Sequence, residues 1–277
     1  MGIVRFAAYR QYEQTRIEAS NAMMALLAGA QLASHLLQLT EGSDRLLPEV
    51  YPRVPHIGRF NLTSEAARTI LQAADTHLGA MSVPYALSIH EDHVRTCLGL
   101  LEQAGRCPAG TSDKLKLYAL HAEFQRATAG RFGAESLAQL DTLRLMRNCT
   151  IHSGGRASQP LVTGIANWTS TTEMGWLRLA KRSPRGLRVG DTVAFAHGEL
   201  ILALAVTKRL ARQANQLLQP ALPRRQWADM VVDDLVDSDP HVLRAPDRLR
   251  RARGLARFHY QALNLTSGEL MVALTSR

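Results

Sequence analysis

The residues with the clearest chemical potential lie in one short stretch, Arg147-Asn148-Cys149-Thr150-Ile151-His152, which is followed by Gly154-Gly155. An arginine can grip a phosphate through two parallel hydrogen bonds, and a histidine can transfer protons near neutral pH. An asparagine can orient both groups. The combination suits phosphodiester chemistry and requires no metal ion, so the sequence predicts a catalytic or binding role for Arg147, Asn148 and His152.

Helical spacing determines which of these side chains can meet. Residues four apart share a helix face, so Arg144, Asn148 and His152 form a polar stripe, and Arg144 becomes a candidate RNA contact. Arg147 precedes His152 by five residues, which is not a same-face spacing in a regular helix. The two side chains therefore converge only if the helix ends or loosens near His152, and the paired glycines permit that.

Simpler interpretations stay open for the same residues. Arg147 can form an ion pair, and His152 can cap a helix C-terminus, where its positive charge is favoured. Cys149 and His152 lack an orienting acid, so packing is the expected role of Cys149. His90 and His93 flank Glu91 and Asp92, but the sequence places no third metal ligand, and no glycine-rich phosphate loop is present. The sequence therefore predicts neither a metal nor a cofactor.

Composition limits the class of protein. The chain has 277 residues, 46% of them hydrophobic, and a formal charge of +9 from 33 Lys+Arg and 24 Asp+Glu. The positive charge favours a polyanion such as RNA as partner, although a basic soluble enzyme fits equally well. The three cysteines match neither a disulfide framework nor a zinc pattern, which indicates a reducing, cytoplasmic location. The apolar stretch 22–37 is short and interrupted by polar residues, so an amphipathic helix is predicted and no membrane contact.

Apolar periodicity predicts an all-α protein. The predicted helices are 14–39, a second from Thr63-Ser64-Glu65 to Leu78, 84–104, a fourth from Thr111-Ser112-Asp113 through Phe124, one from Ala134 to the paired glycines, and 197–218. Segment 156–191 is predicted to be an irregular insertion, with one short strand near 187–193. Pro220 and Pro223 mark a boundary before a final segment that is rich in arginine between Arg248 and Arg257.

The stretch 145–155 resembles the signature of the HEPN superfamily, in which an arginine is followed after four to six residues by a histidine and commonly directly by a polar residue. The resemblance continues in order along residues 80–218: a helix with the acidic pair Glu91-Asp92, a helix after Ser112-Asp113-Lys114, the motif helix, and a returning helix after Val189-Gly190-Asp191. The leading helices and the C-terminal segment lie outside it.

The resemblance implies a four-helix up-and-down bundle over 80–219, with an N-terminal helical extension, 1–79, and a small C-terminal module, 220–277. It also implies a homodimer whose motifs meet across the interface. Many HEPN proteins are metal-independent endoribonucleases of toxin-antitoxin or defence systems, while others only bind nucleic acid, nucleotides or partner proteins. Carried over to this chain, Arg147 and His152 are the catalytic pair, Asn148 supports them, and Glu91 is a further candidate. RNA is the expected substrate, and an antitoxin or defence protein is a possible partner.

Overall fold

A computed structural model describes residues 2–277, and within that range every regular element is a helix. The α-helices are α1 (Ala7–Leu37), α2 (Leu47–Val50), α3 (Ser64–Gln72), α4 (Ala74–Gln103), α5 (Thr111–Lys114), α6 (Leu120–Thr128), α7 (Ala134–His152), α8 (Gln159–Ala166), α9 (Ser170–Ala180), α10 (His197–Ala221), α11 (Arg224–Ser238), α12 (Arg248–His259) and α13 (Ser267–Thr275). Short 3₁₀ turns supplement them. The predicted all-α class is confirmed.

The chain divides into two compact units, each assembled from separated stretches. The first unit comprises Met1–Arg16, Leu87–Asp141 and Ala205–Arg277, and the second comprises Ile17–Ala86 and Thr142–Leu204. Both contain buried aromatic side chains, such as Trp227 in the first and Trp176 in the second. The boundaries fall inside α1, α4, α7 and α10, the four longest helices.

Local start and stop signals were read correctly at two helices. Thr63 caps α3, where its hydroxyl accepts a hydrogen bond from the Ala66 amide at 3.2 Å. Helix α7 begins at Ala134 and ends before Gly154, as predicted. Both helix ends depend on residues next to them in the sequence: a capping side chain at the start of α3 and two glycines after the end of α7.

Two predicted helix boundaries were wrong. Pro84 was predicted to open a helix, but it lies inside α4, which begins ten residues earlier. The neighbouring Val83 and Leu87 are buried, so tertiary packing of this segment outweighs the backbone hydrogen bond that proline cannot donate. The predicted fourth helix is broken into α5, the 3₁₀ turn Leu117–Ala119 and α6.

Segment 156–191 was predicted to be irregular, and this was also wrong. It contains α8 and α9, and only an isolated antiparallel bridge between Arg156 and Thr192 occupies the position of the predicted strand. The Trp168 indole donates a buried hydrogen bond to the Thr142 hydroxyl at 3.1 Å and packs against Trp176, with ring centroids 4.9 Å apart. The hydrogen bond to Thr142 and the packing of the two tryptophans thus hold in place a segment whose apolar periodicity is weak.

Helix α1 extends well beyond the apolar stretch recognised in the sequence. With its 3₁₀ extension, the helix Ala7–Thr40 is long and apolar enough to cross a membrane by length and composition, with a mean hydropathy of 1.3 over its most apolar window, 17% of which is buried. Residues 22–37 alone are too short to cross a membrane, but the whole helix is long enough. The absence of membrane contact stays a prediction.

Candidate functional site

The motif occupies the last two turns of α7. Leu143, Met146 and Cys149 are buried and hold this end of the helix in the second unit. Cys149 is 1% exposed, and its thiol donates to the Ser158 hydroxyl at 3.4 Å. The expectation that Cys149 packs is therefore confirmed.

Two glycines stop the helix directly after His152. The Ser153 and Gly155 amides both donate to the Cys149 carbonyl at 3.0 Å, while Gly154 and Gly155 adopt φ values of +56° and +75°. These left-handed conformations suit glycine, and the two hydrogen bonds satisfy a carbonyl at the end of the helix. The Val193 amide then donates to the Gly155 carbonyl at 2.7 Å, which anchors the turn. His152 is consequently the last helical residue of α7.

Arg147 is half-buried, and its guanidinium donates to no acceptor within residues 2–277. Its Nε atom is enclosed without a hydrogen-bond partner, and no carboxylate within residues 2–277 forms an ion pair with it. Enclosed polar groups are rarely left unpaired, since each one costs free energy. The guanidinium is therefore available to an acceptor from outside the fold, such as a phosphate oxygen.

His152 is exposed and Asn148 is half-buried on the same helix end. Within residues 2–277, no hydrogen bond joins Arg147, Asn148 and His152 to one another. Because α7 stays helical through His152, Arg147 and His152 point about 140° apart around the helix axis. The helix ends as predicted, but His152 still belongs to it, so its end does not turn these two side chains toward each other. Arg144, the other predicted RNA contact, is half-buried and already interacts with another group of the protein.

Glu91 lies on α4 in the first unit and is engaged in an ion pair. Its Oε1 atom is 3.0 Å from Arg95 Nη2, one helical turn away. Arg95 also donates to the Leu115 carbonyl at 3.0 Å and to the Ser112 carbonyl. Arg95 thus links the loop around α5 to α4 while it pairs with Glu91, and the catalytic role of Glu91 stays a prediction.

An ion pair near the motif helix, between a buried carboxylate and an exposed arginine, was not predicted from the sequence. Glu199, in the first turn of α10, is held by Arg182 through bonds of 2.7 and 2.8 Å and also accepts from the Ala196 amide at 2.9 Å. Both residues, with Met146, line a cavity of about 140 Å³ in the second unit, which is too small for a nucleotide. The sequence does place Glu199 in a first helical turn, where a negative charge is favoured. It does not indicate Arg182 as its partner, because that residue lies 17 positions away.

The two histidines weighed as metal ligands belong to a buried cluster in the first unit. His90 Nε2 lies 3.0 Å from His121 Nε2, whereas the His93 ring stacks on Tyr12 at 4.3 Å and approaches the Cys97 thiol. Burial and the neighbouring His121 hold the pKa of His90 well below its usual value, and burial lowers the pKa of His93 to about 4. Residues 2–277 contain no group of three or more side chains placed to hold a metal ion.

Comparison with known proteins gives no further assignment. No protein-family model, no curated protein and no solved structure matches this chain significantly.

Proposed function

We propose that this chain is a HEPN-type, metal-independent endoribonuclease that acts as a toxin or defence effector. The observation that carries the proposal is the half-buried Arg147 guanidinium, which has no acidic partner and lies beside the glycine-terminated helix end that presents His152. A phosphodiester supplies the acceptors that the guanidinium lacks. An exposed histidine at the same helix end is free to exchange protons with a substrate.

The proposed reaction is transesterification within the RNA strand. His152 accepts the proton of a ribose 2′-hydroxyl, whose oxygen attacks the adjacent phosphorus. The bond from phosphorus to the 5′-oxygen of the next nucleotide breaks, and that oxygen takes a proton and leaves as a 5′-hydroxyl. Arg147 stabilises the charge that develops on the non-bridging oxygens, and Asn148 orients the phosphate. The products are a 2′,3′-cyclic phosphate and a 5′-hydroxyl end.

The proposed site is completed by a second copy of the chain. Within one α7, Arg147 and His152 diverge by about 140°, so a single helix presents them poorly to one phosphate. A two-fold pairing of the exposed α7 ends brings Arg147 of one copy toward His152 of the other. We therefore expect a homodimer, and light scattering at micromolar protein should give twice the chain mass of 30.5 kDa. A mass of one chain would contradict the composite site.

The products and the substrate range test the chemistry. In EDTA, the protein should cleave single-stranded RNA and leave a 2′,3′-cyclic phosphate or its hydrolysed 3′-phosphate. DNA of the same sequence should stay intact because it lacks the attacking 2′-hydroxyl. Cleavage of DNA, or ends that carry a 5′-phosphate and a 3′-hydroxyl, would contradict the proposed reaction.

The second candidate function is a non-catalytic HEPN-like module that binds nucleic acid, a nucleotide or a partner protein. It is favoured by the absence of a hydrogen bond among Arg147, Asn148 and His152, because binding needs only the guanidinium. RNA binding that requires Arg147, without any cleavage, would select this function. An adjacent gene for a small nucleotidyltransferase or for another defence protein would support the toxin or defence role.

A further inference from the structure

The arginines of α12 differ sharply in their partners. Three are engaged within the fold: Arg248 donates to the Leu243 carbonyl at 2.7 Å, Arg250 pairs with Asp247 at 2.8 Å, and Arg251 pairs with Asp239 at 2.9 Å. Arg253 and Arg257 are exposed, and neither forms an ion pair or a hydrogen bond within residues 2–277. Because they are four residues apart, they share one face of α12.

That face borders a surface cavity of about 470 Å³ in the first unit. Its polar lining consists mainly of hydrogen-bond donors and neutral groups: Arg253, Arg257, Gln261, Asn264, Thr266 and Ser267. No lining residue is acidic. The nearby Glu269 is already neutralised by Arg224, whose guanidinium and the Thr266 amide lower the pKa of that carboxyl to about 2. The cavity therefore combines two uncompensated positive charges with the volume of a small-molecule site.

We propose that this α12–α13 cavity binds a nucleotide phosphate, gripped by Arg253 and Arg257. Two guanidiniums on one helix face can each donate to phosphate oxygens, and neither must first break an ion pair. The phosphate belongs either to single-stranded RNA or to a free nucleotide. The proposal does not depend on catalysis by the α7 motif, because every residue of the cavity lies in another part of the chain.

Phe258 is not part of the cavity lining, but its exposed ring offers the base of a bound nucleotide a surface that inorganic phosphate cannot use. It follows Arg257 on α12 and is 74% exposed, although it is a large apolar side chain. Its ring meets the His259 ring edge to face, with centroids 4.6 Å apart. An exposed aromatic ring next to a phosphate-binding arginine is the arrangement on which nucleobases stack.

Fluorescence anisotropy with a labelled oligouridylate tests the site in the full-length chain. The His152→Ala background slows cleavage by the proposed site and EDTA stops any metal-dependent cleavage, so binding is measured whether or not the proposed function holds. Arg253→Gln with Arg257→Gln should weaken binding about 100-fold, about tenfold for each guanidinium, and should lower the salt dependence. Arg250→Gln is the control for each single substitution, since it also removes one positive charge from α12, and it should change affinity less than about twofold.

Competitors separate the two sources of the phosphate. If unlabelled uridine monophosphate displaces the oligonucleotide at a concentration close to its own affinity for the chain, the ligand is a free nucleotide. If only RNA competes, the ligand is a strand. Phe258→Ala should weaken the binding of both about tenfold and leave competition by inorganic phosphate unchanged. The proposal is overturned if the double variant binds as tightly as Arg250→Gln, or if RNA, nucleotide and phosphate all fail to bind.

Discussion

Arg10 and Asp234 are 224 positions apart in the chain and form a two-pronged ion pair, with bonds of 2.8 and 2.6 Å. The Asp234 side chain is only 5% exposed and also accepts a hydrogen bond from the Tyr260 hydroxyl at 3.0 Å. Within the first unit, this cluster ties the start of α1 to α11 and to the residue after α12. Trp227 extends the same junction, since its ring lies 5.7 Å from that of Phe6.

Removal of Arg10 should destabilise the protein substantially. Arg10→Met leaves the buried Asp234 carboxylate without its counter-charge, which typically lowers the free energy of unfolding by about 3 kcal/mol. Urea denaturation followed by circular dichroism measures the change. Arg5→Met is the control, because the Arg5–Glu13 pair is largely exposed and should contribute less than about 1 kcal/mol. Equal effects of the two variants would show that the Arg10–Asp234 pair is not a main support of the first unit.

Acid should destabilise the fold through its buried histidines. Burial lowers the pKa of His93 to about 4, so the folded chain binds fewer protons than the unfolded chain between about pH 6.5 and pH 4. The free energy of unfolding should therefore fall as the pH falls through this window, by up to about 3 kcal/mol from His93 alone. Denaturation at a series of pH values measures the slope.

The variant that tests this pH dependence is His93→Phe, which keeps a ring against Tyr12. It should flatten the slope, whatever its effect on stability at neutral pH. The exposed His35 serves as control, and His35→Ala should leave the slope unchanged. An unchanged slope in His93→Phe would mean that other groups cause the acid sensitivity.

The sequence predicted the fold correctly where the structure depends on residues that are neighbours in the chain. Thr63 at the start of α3 and Gly154-Gly155 at the end of α7 were predicted because capping and left-handed backbone are local chemistry. Contacts such as those between Trp168 and Thr142, or Arg10 and Asp234, join positions far apart in the chain. Apolar periodicity is a local pattern and does not predict such contacts. The position of the motif on its helix was therefore predictable, whereas the lack of a partner for Arg147 was not.

Truncation should not give a stable smaller protein. From the sequence, residues 220–277 were predicted to form a small C-terminal module, and if that module were accessory, a chain ending near Gln219 would stay soluble and helical. The contacts of Trp227 with Phe6 and of Asp234 with Arg10 reverse that expectation, because both partners would become exposed. We now expect aggregation or loss of cooperative melting, measured by thermal denaturation.

The matched control for the truncation is a chain that ends at Thr275, the last residue of α13. It loses only Ser276 and Arg277, whose partners, Arg225 and Asp233, lie on the exposed side of α11. It should melt cooperatively, like the full chain. Cooperative melting of the chain ending at Gln219 would show that the C-terminal helices are dispensable after all.

The most direct test of the central claim is the rate at which single-stranded RNA is cleaved in EDTA by the unaltered chain and by three purified variants. If His152 transfers protons in the reaction, His152→Ala should cut the rate by about 10²- to 10⁴-fold with its helical content unchanged. Arg147→Ala should be at least as damaging, and His35→Ala, which removes an exposed histidine outside the motif, should cleave like the unaltered chain. Cleavage by His152→Ala at the full rate would contradict the assignment of the site to α7.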